Sequence, residues 1–105
     1  MVDLKELQKR VYQNKINHGF NTSDLNYEFC LAYGEMAEAY MAWLKKKDDL
    51  GEELADVAIY LLGIAEILGL DLEKEILHKM DINAKRVYKM VNGVLVKAES
   101  KNGED

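Results

Sequence analysis

Gly51-Glu52-Glu53-Leu54-Ala55-Asp56-Val57-Ala58-Ile59-Tyr60-Leu61-Leu62-Gly63-Ile64-Ala65-Glu66-Ile67-Leu68 decides the fold. Apolar residues fall on nearly every side of a helical repeat here, which predicts a long helix that is central and buried. Glu53 and Asp56 break the pattern near its start. Three residues apart, they share one face of that helix. A buried carboxylate without a partner is costly, and two close together repel. A positive group is therefore expected between them.

Outward from this stretch, the chain reads as further helices. Just upstream, Asp49-Leu50-Gly51-Glu52 has the spacing of a capping box. A second helix is predicted over about residues 24–46, with Leu25, Phe29, Met36, Tyr40 and Trp43 or Leu44 as its apolar face. Lys45, Lys46 and Lys47 suit the negative end of its dipole. Before it, Asp3 can cap a first helix that turns Leu4, Leu7, Val11 and Ile16 inward and stops at Gly19. Thr22, Ser23 or Asp24 can then cap the second. Downstream, Gly69 ends the central helix and Asp71 caps a fourth, predicted over about residues 72–88 with Ile76, Met80, Ile82 or Asn83, and Val87 inward. Asn92-Gly93 between Lys89-Met90-Val91 and Val94-Leu95-Val96 signals a type I′ hairpin. The expected fold is all-α, a four-helix bundle with a short C-terminal β-hairpin. Residues 1–98 form one domain and 99–105 a polar tail.

Composition narrows the function classes. The 105 residues are 49% hydrophobic and 31% charged, ordinary for a globular domain, and contain no proline. A net charge of −5 argues against a partner that is a DNA or RNA polymer or an anionic membrane. Cys30 is the only cysteine, so no internal disulfide forms, and a reducing, cytoplasmic setting is expected. The start of the chain lacks an apolar signal region, and no apolar run is long enough for a membrane span.

The chemistry lies in two acidic pairs. Glu35 and Glu38 form E-x-x-E on the second helix; Glu53 and Asp56 form E-x-x-D on the third. A short connection makes the two helices antiparallel neighbours, so both pairs can face one seam. Four converging carboxylates suit a hard cation, Mg²⁺ or Mn²⁺, completed by waters and substrate phosphates. On the fourth helix, Lys79, Asn83 and Arg86 fall at i, i+4 and i+7, one face that can hold phosphate oxygens or carry ordinary surface ion pairs. Asn14, Lys15 and His18 end the first helix, where they can approach a ligand or face water. Tyr40 and Trp43 suit a core, an interface or base stacking; Tyr60 suits the core, and Cys30 a small buried site. Glu75-Ile76-Leu77-His78 resembles half of a di-iron motif, but such sites need a second copy.

Three runs together resemble a known family: Tyr33-Gly34-Glu35-Met36-Ala37-Glu38-Ala39, then Gly51-Glu52-Glu53-Leu54-Ala55-Asp56-Val57, then Lys79-Met80-Asp81-Ile82-Asn83-Ala84-Lys85-Arg86-Val87-Tyr88. Over about residues 5–90 the chain is similar to the MazG-like all-α nucleoside triphosphate pyrophosphohydrolases. The resemblance implies a helical homodimer or homotetramer. It also implies Mg²⁺-dependent hydrolysis of a (deoxy)nucleoside triphosphate to the monophosphate and pyrophosphate. Glu35, Glu38, Glu53 and Asp56 would hold the metal, with Glu38 and Glu53 as catalytic groups. Lys79 and Asn83 would bind substrate, joined by Arg86 and Tyr88, with Asn14 and Lys15 from the first helix.

One departure stands out. Many relatives read E-x-G-E-x-x-E, and the glutamate before the glycine is a ligand; here that place is Ala32. Glu35 and Glu38 can serve as the pair, Glu28 can reach in from one turn earlier, or the site is short of a ligand. The last case leaves a catalytically weak nucleotide-binding or partner-binding helical oligomer as the alternative.

Overall fold

The computed structural model describes residues 1–98; the tail expected over 99–105 lies outside the described residues. The chain is all-α with a C-terminal β-hairpin: α1 (Leu4–Asn17), α2 (Leu25–Leu44), α3 (Leu50–Ile67), α4 (Leu72–Lys85), β1 (Tyr88–Val91) and β2 (Val94–Lys97). It divides into two compact units, residues 1–72 and the remainder. No helix among the described residues is long and apolar enough to cross a membrane.

In the first unit α3 is the shared partner, packed along both α1 and α2. Local signals set the ends of these helices. Asp3 accepts a hydrogen bond from the Glu6 N–H, and Asp24 from the Tyr27 N–H, each at 3.2 Å. Gly19 and Gly69 take φ of +70° and +72° just past α1 and α3, where a side chain would be strained. The chain then folds back: Phe20 N–H donates to Lys15 C=O at 2.8 Å and Leu70 N–H to Ala65 C=O at 2.9 Å. Lys46 makes the same turn after α2 at φ +55°, without glycine. The capping box at Asp49 does not form. The backbone there sits at φ −94°, ψ 16°, not extended, and the side chain makes no cap hydrogen bond.

Burial departs from the apolar pattern in instructive ways. The central helix is buried only in its C-terminal half, at Leu62, Gly63, Ile64 and Ala65, while Leu54, Ile59, Leu61 and Leu68 are exposed. The predicted inner face of α2 is likewise exposed from Phe29 to Trp43; its buried residues are Glu28, Ala39 and Ala42. On α1, Ile16 is exposed, whereas Gln8 and Lys15 are buried. Cys30 is exposed, not buried, and Tyr60 is only partly covered.

Both inward polar residues have partners. Gln8 Nε2 donates to Glu66 Oε1 at 2.9 Å and to the Leu70 carbonyl at 2.6 Å, and its Oε1 accepts from the Leu72 N–H at 3.1 Å. One amide thus uses both donor hydrogens and its acceptor to tie α1 to the turn after α3. Lys15 pairs with Glu28 on α2, and α1 approaches α3 closely enough that a Cβ on Gly63 would lie 3.4 Å from Val11 Cγ1.

In the second unit, α4 ends at Lys85, three residues short of the expected end, because the chain turns extended for β1. Ile76, Met80 and Val87, expected inward, are exposed. The hairpin pairs Tyr88 with Lys97 and Val91 with Val94. Asn92 and Gly93 take φ of +51° and +80°, the two positive angles a type I′ turn demands.

Candidate metal centre

Glu35 and Glu38 are carried by α2, and Glu53 by α3 near the turn that joins the two helices. One carboxylate oxygen from each of the three lies within 4.8 Å of the others. The helical spacing explains the pairing: residues three apart on α2 overhang the same groove, and Glu53 is the first α3 carboxylate to meet it. Glu38 is exposed; Glu35 and Glu53 are partly buried.

The electrostatics are those of a site with too much negative charge. The Glu35 carboxyl is raised above its ordinary 4.5, first by burial, then by the charge of Glu38 and next by that of Asp56. Glu53 is raised from the same value, again first by burial, then by Glu38, Asp49 and Asp56. Glu35 Oε2, Glu53 Oε2 and Asp49 Oδ1 are each buried without a hydrogen-bond partner. Such orphans are uncommon in a folded chain and mark places where a ligand or ion is expected.

Asp56 does not join the close group. It is exposed, although its charge bears on both Glu35 and Glu53. Asp49 is the residue that the sequence pattern missed: read as a helix cap, it leaves its carboxylate beside Glu53 instead. Its signal was an aspartate four residues ahead of Glu53, one helical turn away.

Glu28 is not available to complete the set. It is 1% exposed, bonded to Lys15 Nζ and accepting from Asn21 Nδ2 at 3.1 Å. Lys15 is correspondingly taken up, with its Nζ 5.6 Å from the centre of the Tyr60 ring. Tyr60 lies under the influence of both regions. Burial, then Glu35 and then Glu28 push its phenol above the usual value.

Asn14 and Lys15 line an open groove of about 740 Å³ between α1 and α3, floored by Leu7, Val11, Ile59 and Leu62. Lys79 and Asn83 lie on α4 in the second unit, but Arg86 falls just beyond the helix and Tyr88 on β1, so the expected single face holds only for the first two. Arg86 Nε is buried without a partner. His78 forms no metal-ligating group among the described residues. Comparison of the chain with protein-family models, with curated proteins and with solved structures finds no match.

Proposed function

We propose that the chain is a Mg²⁺-dependent nucleoside triphosphate pyrophosphohydrolase, releasing pyrophosphate and a nucleoside monophosphate. The observation that carries this reading is the convergence of Glu35, Glu38 and Glu53 with buried, unpartnered oxygens and raised carboxyl pKa values. An all-oxygen, anionic donor set of this kind fits Mg²⁺ or Mn²⁺ and disfavours softer ions. Glu35, Glu53 and Glu38 would hold the ion, with Asp56 adding charge from the rim. When bound, the ion supplies charge neutralisation for phosphate oxygens and acidifies a coordinated water. Glu38, the most exposed of the three, orients the attacking water and accepts its proton. The donors for substrate phosphate are assigned to Lys79, Asn83 and Arg86 in the second unit, and the base contact to Tyr88, on the strength of the resemblance.

The test is pyrophosphate release from a panel of deoxynucleoside triphosphates with Mg²⁺ or Mn²⁺. Glu53→Gln should lower turnover by roughly 100-fold or more, as loss of one electrostatic partner in an active site does. Asp56→Asn should have the smaller effect. Unchanged turnover in Glu53→Gln contradicts the assignment.

A second reading has its own observation. Glu28 is locked to Lys15, so nothing replaces the carboxylate missing at Ala32. A site short of that ligand would bind a nucleotide and turn it over weakly. Tight binding without turnover, with a gain on Ala32→Glu, would favour this reading.

A further inference from the structure

The outer side of the α2–α3 pair carries two apolar stripes with one period. On α2, Phe29, Tyr33, Met36, Tyr40 and Trp43 follow steps of four, three, four and three residues, and they are 45% to 76% exposed. On α3, Leu54, Leu61 and Leu68 repeat every seven residues and are 46% to 50% exposed. A seven-residue apolar repeat is the pattern of a seam between helices, not of a solvated face.

Both stripes lie on the same side. Glu53 marks the direction from α3 to α2, and Gly63, against Val11 and Lys15, marks the direction to α1. At about 100° per residue, the three leucines sit about a quarter-turn from Glu53, on the side away from Gly63. On α2 the aromatic stripe sits about a third of a turn from Glu35 in the same rotational sense. Helices joined through residues 45–49 and packed along each other run antiparallel, which brings the two offsets onto one side of the pair. Glu38 and Asp56 rotate the other way, so the acidic cluster opens on the opposite side.

We propose that this face binds a second copy of the same chain, two α2–α3 pairs meeting about a two-fold axis as a four-helix layer. Three features select that occupant. The face is its own complement, apolar against apolar, as a two-fold interface requires. The flanking positions Cys30, Ala32, Ala37 and Leu44 carry no charge that would repel a copy or specify a different partner. Eight side chains of roughly 150–250 Å² each, about half exposed, offer roughly 800 Å² per copy, about what each partner contributes to a stable interface. The inference does not rest on the metal reading, because the acidic cluster stays accessible on the far side.

The test uses the full chain. Trp43 is the only tryptophan and lies in the stripe. Sedimentation at micromolar concentration should give a dimer, and Trp43 emission should shift to the red on dilution as the dimer dissociates. Met36→Glu and Leu61→Glu, one on each helix, should each weaken self-association by roughly thirtyfold or more while circular dichroism keeps its helical signal. Should either variant fail to fold, the wild-type dilution series still decides. A monomer at every concentration overturns the proposal, including one whose Trp43 is shielded by another part of its own chain. So does a dimer in which Trp43 stays open to a soluble quencher, or one indifferent to both substitutions.

Discussion

Two places in the first unit take carboxylates out of water, and the chain treats them in opposite ways. Glu28, at 1% exposure, receives a lysine and an asparagine. Glu35 and Glu53 receive other carboxylates, and each keeps a buried oxygen without a partner. The first arrangement is closed: its charge is cancelled by a residue of the same chain, and it pins α1 to α2. The second leaves its charge uncancelled, one helical seam away. Countercharge is built in where rigidity is wanted and withheld where a cation is to bind.

Breaking the closed site should have the larger effect. Lys15→Met leaves Glu28 buried without its cation and should cost about 3–5 kcal/mol in urea unfolding, while Lys15→Met with Glu28→Leu should recover much of that. If the single and double variants are equally unstable, the pair is not what holds α1 to α2.

Relieving the open site should act in the other direction, and more weakly. Glu35 and Glu53 have carboxyls raised above 4.5 in the folded chain. Raised groups contribute stability that is fully present below the unfolded value and lost as pH rises through the folded one. Metal-free Glu35→Gln should therefore become increasingly more stable than wild type as pH climbs from about 4.5 to neutrality. The check is the difference in Tm between the two proteins in chelator, taken across that window. A difference that is flat with pH, or that favours wild type at neutrality, would show that Glu35 is not strained by its neighbours.

The same contrast explains what could be read from the residues alone. Helix ends were legible because they rest on local chemistry: Asp3 and Asp24 cap, Gly19 and Gly69 take positive φ, and Asn92-Gly93 makes the hairpin turn. The convergence of Glu35, Glu38 and Glu53 was legible too, since it needs only the three-residue spacing and two neighbouring helices. Burial was not. Apolar periodicity has no means of placing Gln8 or Lys15 inside, because each is tolerated there only through partners far along the chain, Leu70 and Leu72 for Gln8, and Glu28 for Lys15. Nor does it tell a stripe that meets its own chain from one turned outward, as on α2. Asp49 was misread for a related reason: a cap depends on one backbone angle, and here that angle leaves the carboxylate beside Glu53.

The central claim is that the open site is completed by a divalent cation, and titration of the metal-free chain with Mg²⁺ by calorimetry tests it most directly. The account predicts saturable binding at neutral pH that is lost in Glu53→Gln, with stability raised by about 2.7 kcal/mol when Mg²⁺ reaches 100 times its Kd. Absence of binding, or binding that Glu53→Gln leaves intact, would contradict it.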